Sequence, residues 1–273
     1  MKKIRLNDRS LLDEWYQIIT PVSVLVTIFS IAVTIPEEFK KYLLLFILFL
    51  FSVLYFYLWN KANKITEKKI IVNNNILTIK FGNIFEEEGL KVIAFNEYFD
   101  TKVDDIIITN SSLNGIYINT YVENIKKLDD AIKNDKVLSE KIVKNADVRS
   151  DRKGKKNIYE LGSIFRNNDY LLLAFSKFDS ENKASLSTSE YFNCLLDLWK
   201  KIDMSYNGKK IVIPLLGSGI TRFKETNILT DQELLEFIIT SLKLSKIKYL
   251  DTHEIIIIIH PTKKDNINLY NIY

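Results

Sequence analysis

Two long stretches without a single charged side chain constrain this 273-residue chain more than anything else in it. Residues 15–36 and 42–60 carry no Asp, Glu, Lys or Arg, and only EEFKK at 37–41 separates them. A hydrocarbon core about 30 Å thick takes roughly 20 apolar helical residues to cross, and both stretches reach that length. A secretory signal has a shorter apolar core, about 7–15 residues, followed by a small-residue cleavage site. Here a second apolar stretch follows at once, and no such site precedes Glu37. The second stretch, YLLLFILFLFSVLYFYLW, is apolar on every face, which suits lipid better than the half-exposed surface of a soluble helix. The pair is expected to form an antiparallel helical hairpin that spans a membrane twice, with its turn at 37–41.

Basic residues orient the hairpin. Lys2, Lys3, Arg5 and Arg9 precede it, Lys61, Lys64, Lys68 and Lys69 follow it, and the turn holds Lys40 and Lys41. The positive-inside rule puts both flanks on the cytoplasmic side of the plasma membrane. Trp15, Tyr42, Tyr55, Tyr57 and Trp59 stand near the segment ends, as interfacial aromatics do. Residues 1–69 hold 10 basic and 6 acidic side chains, whereas residues 70–273 hold 28 of each. The excess positive charge therefore lies beside the membrane, and the neutral remainder argues against nucleic acid as a partner. Cys194 is the single cysteine. It excludes an intrachain disulfide, fits a reducing compartment and, in an apolar helical pattern, reads as a packed thiol. With His253 and His260 as the two histidines, no zinc site is expected.

The expected organisation is a cytoplasmic segment at 1–14, the hairpin at 15–60, a linker at 61–69 and one domain at 70–273. In that domain IIVNNNILTIKF (70–81) reads as two strands turning at Asn73, Asn74 and Asn75. KVIAF (91–95), DIIIT (105–109), YLLLAFS (170–176), KIVIPLL (210–216) and EIIIIIH (254–260) read as buried strands. Helical spacing runs over 121–145, and Ser187 with Glu190 and Thr230 with Glu233 form capping boxes that open two further helices. Strands apolar throughout, separated by amphipathic helices, predict an α/β fold with a mixed, largely parallel sheet. The polar run DVRSDRKGKKN (147–157) reads as a solvated loop.

The best candidate site is IVIPLLGSGITRF (211–223). A buried strand runs directly into Gly217, Ser218 and Gly219, where glycine permits close approach of backbone to ligand and successive N–H groups cradle an anion. Leu216, Ile220 and Thr221 flank that turn, Arg222 is placed to pair with phosphate, and Phe223 to stack on a base or ribose. The lysine and spacing of a P-loop are missing. Two further polar clusters follow strands: Asn96, Glu97, Tyr98, Phe99 and Asp100 after KVIAF, and Ser111, Ser112, Leu113, Asn114 and Gly115 after DIIIT. Ligands in open α/β sheets sit beyond the carboxyl ends of strands, so the three clusters are expected to share one rim.

The order FGNIF (81–85), VIAFN (92–96), a Ser/Gly loop and IVIPLLGSGI (211–220) resembles a macro domain, a three-layer α/β/α sandwich that binds ADP-ribose and related nucleotides. The resemblance implies that Asn83 takes the place of the aspartate that usually reads adenine, its amide oxygen accepting from the adenine amino group. The second motif continues as Glu97, Tyr98 and Phe99 rather than the usual small residues, which implies an altered ligand and argues against ADP-ribosyl hydrolysis. N-E-x-F-D, S-S-L-x-G, L-G-S and LLLAFSKFDSENKA (171–184) are similar to the macro-like sensor domain of Thoeris anti-phage systems. In that family a TIR-domain partner turns NAD into an ADP-ribose-derived signal, and in one branch the sensor carries two transmembrane helices. The resemblance implies a membrane-anchored sensor and effector with no catalytic residues and no cofactor. Loading would gather copies into a homo-oligomer whose hairpins disrupt the lipid bilayer. A membrane-tethered hydrolase, with Glu97 or Asp100 as base, and an anchor for ADP-ribosylated proteins are the alternative readings.

Overall fold

The computed structural model describes residues 2–143, 154–179, 181–205, 208–219, 222–223, 229–245 and 254–272. The chain divides into two compact units, Met1–Lys68 with Lys264–Tyr273, and Lys69–Lys263.

The first unit is built on α1 (Arg9–Ala32) and α2 (Glu37–Ala62). Both are long and apolar enough to cross a membrane, and nearly all of their apolar length is exposed. The side chain of Asp8 caps α1 by accepting from the N–H groups of Ser10 and Leu11. Pro36 opens α2, with Glu37 and Glu38 in its first turn, where the helix dipole favours acids. The connection thus lies at 33–36, and the EEFKK expected as the turn is the start of α2. The helices meet at their charged ends. Trp15 donates its indole N–H to the carbonyl of Phe51 at 2.9 Å, and Trp59 donates to Ile4 at 2.9 Å. Ile4, Leu11, Leu58 and Ala62 are buried there, with Tyr270 packed against them. By packing, residues 264–272 group with the hairpin.

The second unit begins in β1 (Glu67–Val72), which turns through Asn73 and Asn74, at φ of 50° and 66°, into β2 (Asn75–Phe81). Asparagine tolerates this left-handed backbone better than other side chains. Then follow β3 (Leu90–Asn96), α3 (Leu113–Tyr121), α4 (Ile125–Asn134), α5 (Lys136–Ser139), β4 (Ile164–Asn167), β5 (Tyr170–Phe178) and β6 (Ala184–Leu186). After them come α6 (Thr188–Ser205), β7 (Ile211–Pro214), β8 (Arg222–Phe223), α7 (Asp231–Ser245) and β9 (Glu254–Ile259). The sheet order is β1-β2-β9-β7-β3-β5-β6-β8, with β4 on β5. β2, β9, β7, β3 and β5 run parallel, while β4 and β6 pair antiparallel with β5. Alternate residues of a strand face opposite ways. Ile93, Phe95, Leu172, Val212, Ile256 and Ile258 join the core with Tyr117, Ile118, Leu128 and Ile132 of α3 and α4. α6 packs on β5 and on α7, where Trp199 donates to the buried Ser241 hydroxyl at 2.8 Å. The mixed, largely parallel sheet and both capping boxes are as expected: Ser187 N–H donates to Glu190 at 2.8 Å, and Thr230 N–H to Glu233 at 2.7 Å.

Two expectations give way to local side-chain chemistry. DIIIT forms no ladder strand. The Asp104 carboxylate accepts from the N–H groups of Ile106 and Ile107, and Asp105, at φ 58°, accepts from Asn110. These bonds compete with sheet pairing and leave a turn whose Ile107 and Ile108 are buried. The long helical pattern after it breaks at Asn124 and Asp135, which cap α4 and α5.

Candidate functional site

A cavity of about 650 Å³ opens at the carboxyl ends of β2, β3, β5, β7 and β9, the location and size expected of a small-molecule site in a parallel sheet. Each wall has a local cause.

The glycine loop forms one wall. Pro214 to Gly219 all line the cavity. Leu215 N–H donates to Ile258, Ser218 N–H donates back to Leu215, and Gly217 sits at φ 85°. A Cβ on Gly217 would lie 3.3 Å from Leu234 and 3.4 Å from Phe223 and Tyr191, so backbone conformation and packing both require glycine there. Gly219 has an ordinary φ, and a Cβ would meet no described atom within 4 Å. Its side chain is missing beside open space. Beneath the loop the Tyr191 hydroxyl donates to Leu216 at 3.1 Å, and burial pushes this phenol's pKa up. Next to it, burial works to raise the Glu190 carboxyl. The ammonium of Lys177 and the backbone and hydroxyl of Ser187 outweigh that and hold it at about 2.

The second wall is the start of α3. Ser111 to Asn114 line the cavity, and Ser112 caps the helix by accepting from Gly115 N–H at 3.2 Å. The positive end of the helix dipole is thus turned to this side of the site. Gly115 lies inside α3 and does not line the cavity. A Cβ there would come 2.2 Å from the Thr109 carbonyl oxygen, so it serves the close approach of the helix to the preceding turn.

The third wall follows β2. Asn83 caps a 3-10 turn over Ile84–Glu86 by accepting from Phe85 N–H, while its amide N–H₂ donates to Glu86. Phe85 lines the cavity and stacks on Tyr121 at 4.6 Å between ring centroids. The fourth wall is His260 to Lys263, directly after β9. The ammonium of Lys263 donates to the Ser218 carbonyl at 2.6 Å and pairs with Asp231 at 3.3 Å. It thereby ties the glycine loop to the start of α7. His260 and Lys263 are the side chains of opposite chemistry to a phosphate here, and no Asp or Glu is among the described lining residues.

Asn83, Ser111, Ser112, Leu113, Leu216, Gly217, Ser218 and Gly219 all line this cavity. Asn96, Phe99 and Asp100 lie elsewhere. Asn96 accepts from the N–H groups of Tyr98 and Asp100 and donates to the Asp100 carboxylate at 2.9 Å, which also accepts from Lys155 N–H at 2.8 Å. Phe99, at φ 49°, is fully buried against Phe95 and Tyr159. Glu97 accepts from Phe178 N–H. The cluster fastens the end of β3 to neighbouring segments. Phe223 packs edge-on against Tyr191 at 5.6 Å, behind the glycine loop. Ile220, Thr221 and the Arg222 side chain lie outside the described residues. Cys194 is buried, and its thiol is pushed up to about 12 by that burial. Sequence reasoning missed Phe85, Phe178, His260 and Lys263. The first three were legible at or near strand ends in motifs already singled out; nothing local marks Lys263.

Residues 77–260 match the family described as Thoeris protein ThsA, Macro domain. The chain belongs to that family. It is similar to the Thoeris protein ThsA of Bacillus amyloliquefaciens (strain Y2), 40% identical over 205 residues that cover 74% of this chain and 68% of that protein. Among solved structures it is similar to a mutant Oceanobacillus iheyensis macrodomain with ADPR at 8% identity, covering 73% of this chain and 92% of that one, with a TM-score of 0.46. The same macrodomain with ADP gives 10% identity, 73% and 90% coverage, and a TM-score of 0.43. The chain is a protein of Thoeris antiviral defence, with a macro domain behind two long apolar helices.

Proposed function

We propose that the cavity receives an ADP-ribose-derived signal made from NAD by a TIR-domain partner, and that occupancy activates the hairpin against the membrane. The observation that carries the ligand reading is the convergence on one cavity of a glycine loop and a helix N-terminus, two anion-binding devices, beside the half-buried ring of Phe85. The diphosphate lies between Gly217, Ser218, Gly219 and the start of α3, within reach of Lys263. The adenine lies at Asn83 and Phe85, whose ring offers a stacking face. Arg222, on the far side of the loop in sequence, supplies a further charge. Asn96, Phe99 and Asp100 act as positioning residues that hold the end of β3.

The hairpin spans the plasma membrane twice with both flanks in the cytoplasm. It carries no charge at its centre and so makes a poor ion path alone. Loaded domains that associate concentrate their hairpins by avidity, and the gathered hairpins breach the bilayer. Hydrolysis is the weaker reading, since a general base must reach the ligand and no carboxylate is among the described lining residues.

The test is calorimetric titration of the detergent-solubilised full chain with ADP-ribose, its cyclic isomers and amino-acid conjugates, each ligand being recovered afterwards. Binding of one compound, recovered intact and abolished by Gly219→Val, is the expected result. Conversion of the ligand would make the chain an enzyme, and no binding by any of them would sink the sensor reading.

A further inference from the structure

We infer that residues 264–272 are a strap that carries the state of the cavity to the base of the hairpin; the ligand half of this inference rests on the reading of the cavity given above. The chain passes between its two units twice, at Lys68–Lys69 and at Lys263–Lys264. The two passages differ. The first leads into β1, no residue of which is among the described cavity lining. The second leaves the cavity wall itself: His260 to Lys263 line the cavity, and Lys264 is the next residue.

From there the segment grips the hairpin base at both of its ends. The Lys264 carbonyl accepts from Lys2 N–H at 3.0 Å, and Asn268 donates its amide to the Lys2 carbonyl at 2.9 Å. The Tyr270 hydroxyl donates to the Glu14 carboxylate at 2.5 Å, and Asn271 donates to Asp8, the cap of α1, at 3.0 Å. On the other side Lys68, beyond α2, donates to the Tyr270 carbonyl at 3.0 Å. Ile267 and Leu269 are fully buried. The segment is thus tied to the two chain segments that enter and leave the hairpin.

A ligand shifts a conformational equilibrium only through contacts that differ between the two states. Lys263 is where such a difference arises. Its ammonium is committed to the Ser218 carbonyl and Asp231, and a phosphate entering beside the glycine loop competes with both as a further anionic acceptor. Any displacement of Lys263 is passed to Lys264 through one peptide bond.

Coupling of this kind is reciprocal, which allows a test without ligand. Amide hydrogen exchange is compared between the full chain and Lys263→Gln, with thermal melting to confirm that the variant folds. The expected result is exchange faster by about tenfold at 264–272 and at 2–14 as well as at the cavity wall. Acceleration confined to the cavity wall overturns the strap. The second arm uses Asn268→Ala/Tyr270→Phe, which leaves the cavity untouched. ADP-ribose affinity should stay within about twofold while ligand-triggered dye release from vesicles holding the full chain falls by about tenfold or more, within the usual range of coupling energies. Release equal to that of the parent also overturns the strap. If ADP-ribose fails to bind the parent while exchange spreads from Lys263 to the hairpin base, the ligand reading fails and the strap stands.

Discussion

α2 and β9 are both nearly unbroken apolar runs, yet they meet opposite surroundings. Leu44 and Phe49 of α2 are 58% and 63% exposed, whereas Ile255, Ile257 and Ile259 of β9 are fully buried. The difference begins in the backbone. A helix satisfies its own N–H and C=O groups and can present apolar side chains to lipid on every side. A strand leaves those groups for its neighbours, and β9 finds them in β2 and β7. Twenty-six residues of helix are long enough to cross a bilayer; six residues of strand fill the middle of a domain. Apolar content alone therefore says little about location. Length and the route of the backbone hydrogen bonds decide it.

One substitution chemistry, a carboxylate, breaks this comparison most sharply. Ile257→Asp places an unpaired charge in the centre of the sheet and is expected to cost more than about 4 kcal/mol, so the chain should move to the insoluble fraction and lose its melting transition. Leu48→Asp, in the middle of α2, is expected to leave that transition in place and to oppose insertion by about 3 kcal/mol, read as release from membranes by alkaline carbonate. A Leu48→Asp protein that stays membrane-embedded would overturn the proposed placement of α2 in the membrane.

The two glycines of the loop sharpen the contrast at the site. Gly217→Ala should destabilise the domain by about 1–3 kcal/mol, because φ there is in the left-handed region. Gly219→Ala should change the melting temperature by less than about 0.5 kcal/mol equivalent while weakening ADP-ribose binding. Equal melting losses for both would contradict the open space at Gly219.

The smallest effect is that of pH. The Glu190 carboxyl is held at about 2 in the fold, below its ordinary value near 4.5. Its stabilisation is therefore complete above about pH 4.5 and is lost as pH falls toward 2. The side chain is 26% exposed, and for such a screened pair the gain is about 1 kcal/mol. Glu190→Gln should flatten acid unfolding between those limits, measured by melting at stepped pH.

Much of this architecture was legible because its causes are local. An uncharged run of helical length, a Ser or Thr three residues before Glu, and an asparagine turn between apolar runs each act within a few residues, and each stands where it was read. The glycine loop and the Ser111–Ser112 cluster were legible for the same reason. DIIIT was misread because Asp104 and Asp105 offered its backbone partners that periodicity does not see. Asn96 and Asp100 have the residue types of a binding rim but spend them on each other and on Lys155.

What the sequence by itself determined is the set of elements, the apolar hairpin and the loop chemistry, since these follow from side-chain spacing and turn geometry. Only the tertiary structure decided which loops share a cavity and that Lys263 braces the glycine loop across 45 residues of chain. It also decided that residues 264–272 turn back to the hairpin base. Those choices depend on parallel strand order and on hydrogen bonds between segments as far apart as Glu14 and Tyr270, 256 residues distant, and no local pattern encodes a contact of that range.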